Sequence, residues 1–234
     1  MADFQLLEEI ALAGPEHLDP AYVAGYDQKA RFDPTEDLDG LRERGLGAGS
    51  TLIDFGAGTG TFALAAASIC KRVIAVDVSR AMVEAIQAKI AERRATNVEC
   101  VQAGFLSYEH DGEPVDFIYT RNALHHVPDF WKAIALSRMA DLLSPAGVLR
   151  LRDLVFSLDL PEAEASLASW LDTAAQRPED GWTRDELETH LRDEYSTFSW
   201  LLEPMIEQAG FEIERADYGR AGIYADYVLV KPSH

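Results

Sequence analysis

The chain has 234 residues, 47% hydrophobic and 26% charged, with a formal charge of −19. That is apolar material for one large globular domain, or a domain with a small appendage, under a surface too acidic to favour the phosphate backbone of a nucleic acid. No run reaches the roughly 18 apolar residues of a membrane span, and the start MADFQLLEEIALAG lacks the basic region of a signal peptide, so a cytoplasmic protein without a membrane partner is expected.

Residues 1 to 47 read as a helical lid or cap. Phe4, Leu7, Ile10 and Leu12 form a rough apolar stripe, suited to packing on the chain's own sheet or on a second copy in a homodimer. Pro20 and Pro34 are each placed to open a helix. From Thr51 the pattern alternates. TLIDF is a short buried strand, TFALAAASIC a helix of small residues, and RVIAVD a strand apolar on both faces, as parallel strands usually are. Ser79 caps a helix carrying Met82, Val83, Ile86 and Ile90 on one side. VECVQ and VDFIYT are the third and fourth strands. Pro128 and Asp129 open a helix with Trp131, Ile134, Ala135 and Leu142 inward, SPAG is a turn, and VLRLRDLVF is the fifth strand. Helices between strands imply right-handed crossovers and a parallel sheet.

An acidic helical insertion covers about 157–203, with Arg177, Arg184 and Arg192 among many acids. Thr183 and Glu186 have capping-box spacing. Trp170, Trp182, Phe198 and Trp200 either line a pocket or form a small core of their own. WLLEPMIEQAG is a helix ending at Gly210. FEIERADY and IYADYVLV, joined by GRAG, form a hairpin. The expected fold is α/β: a Rossmann-like, doubly wound, mostly parallel seven-stranded sheet with a C-terminal antiparallel hairpin. The lid is residues 1–47 and the main domain 48–234. Cys70 and Cys100 form neither a disulfide framework nor a metal spacing and read as core filler; no metal is expected.

The informative stretch is LIDFGAGTG, Leu52 to Gly60. In an open parallel sheet, ligands bind at the carboxyl ends of the strands, where the order reverses. Gly56, Gly58 and Gly60 lie at that edge and let the backbone approach a ligand closely. Asp77, 23 residues beyond Asp54, ends the second strand, where a carboxylate can take both hydroxyls of a ribose. A dinucleotide fingerprint would require a third glycine at position 61, which is Thr61. Asp54 beside the loop would repel a pyrophosphate, whereas a ligand bearing an ammonium and a sulfonium would be attracted.

LIDFGAGTG, VIAVDVSRAM and ALHHV, followed by LLSPAGVLRLRD, resemble the class I S-adenosylmethionine-dependent methyltransferases over about residues 48 to 156. The closest flavour is the small-molecule type similar to the ubiquinone/menaquinone-biosynthesis C-methyltransferases. The resemblance implies that S-adenosyl-L-methionine is the cofactor and S-adenosyl-L-homocysteine the product. It implies that Asp54, Gly56, Ala57 and Gly58 hold the methionine part with Thr59 near it. Asp77 takes the ribose, Val78 and Met82 pack on the adenine, Leu106 walls the pocket, and Arg121 and Asn122 lie by the methionine end. The family usually has Gly-Asp after the third strand, the Asp meeting the adenine amino group; here the pair is Gly104-Phe105, so backbone groups or stacking must take over.

The acceptor is expected to be a small molecule. His125 and His126 stand where it should lie, either as a base or as residues that order the loop. Tyr26 and Phe32 are candidates to close the site, or ordinary packing. An aromatic pocket with an acidic rim favours a neutral or cationic acceptor. TRNALHH replaces the N-P-P-Y-type tetrapeptide, which disfavours adenine or glutamine amino nitrogens. Carbon, oxygen and nitrogen acceptors are not separated. Two alternatives are carried: a non-catalytic cofactor-binding protein of the same fold, and an NAD-dependent oxidoreductase.

Overall fold

The computed structural model describes residues 7 to 233, so Phe4 of the apolar stripe lies outside the described residues. A 3₁₀ turn (Glu9–Leu12) leads into α1 (Pro15–Leu18), α2 (Pro20–Ala30) and α3 (Thr35–Arg42). Alternation follows through β1 (Thr51–Phe55), α4 (Thr61–Ala66), β2 (Arg72–Asp77), α5 (Arg80–Arg93), β3 (Val98–Gln102), β4 (Val115–Arg121), α6 (Asp129–Leu142) and β5 (Leu143–Phe156). The chain closes with α7 (Ala163–Leu171), α8 (Arg184–Arg192), β6 (Thr197–Phe198), α9 (Ser199–Gln208), β7 (Glu212–Gly219) and β8 (Tyr224–Val230).

The sheet runs β3-β2-β1-β4-β5-β8-β7. The first five strands are parallel, and β8 is antiparallel to both β5 and β7. The expected seven strands form this path; β6, only two residues long, adds an eighth beside β5. The order reverses between β1 and β4, which opens a crevice beyond their carboxyl ends.

The period of two along each strand divides the core. Ile53, Phe55, Ile74 and Val76 face α6 and α9, while Leu52, Val73 and Ala75 face α3, α4 and α5. Both faces are covered, which is why β1 and β2 read as continuous apolar runs. Among the described residues no helix is long and apolar enough to cross a membrane.

Three local readings change. SPAG is not a turn ahead of the fifth strand: β5 starts at Leu143 and runs through it as a bulge, with Ala146 at φ 62° and its N–H on Lys231 O. Partners step from Val115↔Leu143 to Phe117↔Val148, so the surplus residues Ser144–Gly147 loop out while pairing resumes on both sides. On α6, Ile134 is exposed and Lys132 is buried, because the face toward the sheet is Ala135, Leu136, Met139 and Ala140. Near the N-terminus the pattern inverts: Glu9 is buried and Ile10 exposed, because Glu9 has partners inside the molecule and Ile10 has none to pack on.

The insertion behaves as predicted at Thr183, whose capping box with Glu186 opens α8. Its aromatics divide. Trp170 joins Leu154, Phe156, Leu187 and Ile223 in a small satellite core, Trp182 turns toward the crevice, and Trp200 is exposed.

Candidate active site

The glycine loop leaves β1 and doubles back under β2, with the Gly56 and Ala57 N–H groups donating to Val76 O at 2.9 and 3.1 Å. Gly56 has φ 67°, and a Cβ there would lie 2.3 Å from Ala123 Cβ. Only glycine allows both this turn and the close approach of the segment after β4. Asp54 is 2% exposed, and its Oδ2 is buried without a hydrogen-bond partner. Burial, reinforced by the charge of Asp77, pushes its carboxyl well above the usual carboxylate range.

Asp77 sits on the neighbouring strand. Oδ2 accepts from Gly58 N and Oδ1 from Ser79 N, both at 2.8 Å. Burial raises its pKa to about 6, against the pull of those two N–H groups and of His17. Ser79 also caps α5 through Met82 N, so one turn holds both the helix and the acid.

Three clefts open along the crevice. The first, about 660 Å³, is walled by Asp77, Val78, Met82, Gly104 and Phe105, with His126 at its far side. A second holds Asp54, Ala57, Thr59, Phe32, Arg121 and Arg152. A third lies between the N-terminal segment and α8, around His125, His126, Trp182, His190 and Glu194. Gly56 and Gly58 line the first two, and Tyr26 and Asn122 line all three. Asn122 has φ 50°, and its N–H donates to Arg152 O at 2.8 Å, which turns the chain off β4 into this junction.

The paired histidines occupy a 3₁₀ turn, Leu124–His126. His125 is 3% exposed. Its backbone N–H donates to Asp153 Oδ2 at 2.9 Å and its Nδ1 bonds Asp153 Oδ1, while Nε2 lies 3.2 Å from Glu194 Oε2. Burial opposes charge on this ring, but the Asp153 and Glu194 carboxylates outweigh it and hold the pKa at about 10. His126 is the reverse: burial, with the neighbouring His125 charge, lowers its pKa to about 3, and its Nδ1 has no hydrogen-bond partner. Their surroundings thus push two adjacent imidazoles in opposite directions.

Residues 52–147 match the methyltransferase-domain family. A protein of Geobacillus kaustophilus named as an uncharacterized methyltransferase is 30% identical over 135 residues, 57% of this chain and 60% of its own. One from Anoxybacillus flavithermus, with the same description, is 27% identical over 194 residues, 82% of this chain and 83% of its own. The chain thus spans less than two thirds of the length of the first of these relatives and most of the second. A solved SAM-dependent methyltransferase from Aquifex aeolicus superposes with a TM-score of 0.61 at 21% identity, covering 91% of this chain and 97% of its own. Residues 52–147 are thus similar to a methyltransferase domain, and the fold is one that solved SAM-dependent methyltransferases share.

The chain departs from the pattern that its resemblance implies after β3, where Phe105 stands in place of an acid. Its ring stacks on Phe55 at 5.4 Å between centroids, and the Leu106 side chain packs against the main core, away from the clefts. A carboxylate is nevertheless present, supplied by Glu9. Oε1 accepts from Leu106 N at 3.0 Å, and Oε2 from Ser107 N at 2.9 Å and Ser107 Oγ at 2.7 Å. A Cβ on Gly104 would fall 2.3 Å from Glu9 Oε1, so the glycine makes room for the acid. Sequence reasoning missed Glu9; the only signal was an acid inside an apolar stripe.

Tyr26 and Phe32 both reach the crevice. Tyr26 lies 4.0 Å from where a Gly58 Cβ would be, and burial keeps its phenol neutral, with a pKa of about 12. Phe32 lies under the Arg121 guanidinium, 4.2 Å from the ring centroid. Between them, Asp27 binds Thr59, Thr61 and Lys89, and Lys29 pairs with Glu186 of α8.

Proposed function

We propose that this methyltransferase binds S-adenosylmethionine along the glycine loop and passes its methyl group to a small molecule in the cleft around His126. The observation that carries the reading is the buried, unpartnered Oδ2 of Asp54. A carboxyl left in this state is costly unless a cation completes it, and the amino-acid end of the cofactor brings an ammonium group. Arg121 and Arg152 in the same cleft suit the accompanying carboxylate. Asp77, with both oxygens anchored by backbone N–H groups, suits the ribose diol. Val78 and Met82 offer the adenine an apolar wall, and Glu9 stands in for the missing acid at its edge.

The bound cofactor supplies an activated methyl on a sulfonium, so the protein's part is alignment and exclusion of water. Tyr26 and Asn122, shared by all three clefts, stand where cofactor and acceptor would meet. His126 faces both the nucleoside cleft and the acceptor cleft, where its neutral imidazole can orient an acceptor through a hydrogen bond; His125 is enclosed by Asp153 and Glu194. The aromatic side chains around the acceptor cleft, Tyr22, Tyr26, Trp182 and Tyr224, suit a small organic acceptor.

Calorimetry with S-adenosylmethionine, S-adenosylhomocysteine and NAD tests the binding claim. Micromolar binding of the first two, weakened at least tenfold in Asp54→Asn, is expected; NAD binding without either would sink it. A labelled-methyl screen over small acceptors then separates turnover from binding alone.

A further inference from the structure

We propose that His125, His190 and Glu194 form a binding site for one divalent first-row transition ion, zinc or ferrous iron, in the wall of the acceptor cleft. One ligand atom from each residue lies within 4.8 Å of the other two. His125 comes from the turn after β4, His190 from the last turn of α8, and Glu194 from just beyond it. Two imidazoles and one carboxylate on one side of an open cleft are a donor set suited to these ions, with positions left for an outside ligand.

The strongest support is how His125 is held. Asp153 receives both its backbone N–H and its Nδ1, so the ring is oriented from behind and Nε2 is the nitrogen presented to the cluster. A carboxylate behind an imidazole in this way is the usual outer partner of a metal-bound histidine. Nε2 is buried and, although 3.2 Å from Glu194 Oε2, does not point at it as a hydrogen bond would. Glu194 is 8% exposed and is approached by Nε2 of His125, Nδ1 of His190 and, at 3.8 Å, Nδ1 of His126. The frame is fixed in advance: Tyr195 N donates to His125 O at 2.9 Å, and buried Lys132 bonds Tyr195 O, tying the chain after α8 to the turn after β4. Rigid support of this kind is what a metal site requires.

The inference deepens the proposed function. An ion here would hold an acceptor through a coordinating oxygen or nitrogen, selecting acceptors that carry such a group beside the cofactor clefts.

The test uses the tag-free full chain, stripped with chelator and titrated with Zn²⁺ and, for its visible spectrum, Co²⁺. One ion per chain is expected, with affinity reduced at least tenfold in His190→Ala and in Glu194→Gln and unchanged in His110→Gln. Should Glu194→Gln fail to fold, the less buried His190→Ala decides. No ion retained, or equal retention in His190→Ala and wild type, overturns the site and leaves a cluster held by protons alone. Calorimetry of the stripped chain with S-adenosylhomocysteine keeps the two readings apart: cofactor binding without metal retention rejects the ion site and spares the methyltransferase reading, and the converse does the opposite.

Discussion

Asp54 and Asp77 end adjacent strands, paired through Asp54↔Ala75 and the residues that follow, yet their surroundings separate them. Asp54 lacks a partner for one oxygen, whereas Asp77 has a backbone N–H on each. The sign of the pH dependence follows from Asp77. Its pKa is raised to about 6 by burial, so below that value it is neutral and has lost one of the two strong acceptors that a ribose diol needs. Affinity for S-adenosylhomocysteine is expected to be level above about pH 7 and to fall by up to about tenfold per pH unit below about 6. In Asp77→Asn it should be at least tenfold weaker at pH 7.5 and flat across the range. Calorimetry between pH 5 and 8 reads both; a wild-type curve as flat as the variant's would remove Asp77 from the ribose site.

At the scale of elements, the N-terminal segment is held at two ends. Asp27 ties α2 to the glycine loop and to Lys89 of α5, Lys29 ties it to α8, and Val23 packs on Ala81 and Met82. A strap anchored on both cofactor loop and insertion is suited to move with ligand. Asp27 is half-exposed, so its bonds are discounted for solvent to about 1 kcal/mol. Asp27→Ala should therefore speed amide exchange in α2 about fivefold, and bound S-adenosylhomocysteine should restore much of the protection. Unchanged exchange would mean that the packing of Val23 alone holds the strap.

At the scale of the whole molecule, a buried ion cluster joins the N-terminal region to the far side of the sheet. Arg150 on β5 is 3% exposed, and its Nη2 lies 2.7 Å from both Asp37 Oδ1 on α3 and Asp226 Oδ2 on β8. Nη1 donates to Asp37 O at 2.9 Å, and Tyr119 OH donates to Asp37 Oδ2 at 2.6 Å. Removing the cation strands Asp226 and leaves Asp37 to Arg121 and Tyr119, a change that costs about 3 kcal/mol or more. For a chain of this length Arg150→Met should lower Tm by about 10 °C, measured by calorimetry, with cofactor affinity of the folded protein retained. A shift of only a degree or two would show that apolar packing, not the cluster, joins α3 to the sheet.

What the sequence by itself determined is what local pattern encodes. Continuous apolar runs at TLIDF and RVIAVD announced buried parallel strands, Ser79 and Thr183 announced helix starts, GRAG joined a hairpin, and three glycines between Asp54 and Asp77 announced a tight loop at the strand ends. Each of these depends on residues a few positions apart, or on a strand-to-strand spacing that the alternation itself sets. Only the tertiary structure decided that β5 starts at Leu143 and that Ser144–Gly147 bulges out of it, because the pairs on either side, Val115↔Leu143 and Phe117↔Val148, belong to β4. It alone placed Glu9 on the N–H groups of Leu106 and Ser107, 97 and 98 residues away, and brought His190 and Glu194 to His125. Nothing in the sequence singled out Glu9 or His190, because a side chain's burial and partner are properties of the space it folds into. The glycine loop with Asp54 and Asp77 comes from one continuous stretch of chain and was legible; the cluster around His125 is assembled from distant segments, and its chemistry exists only once the fold has brought them together.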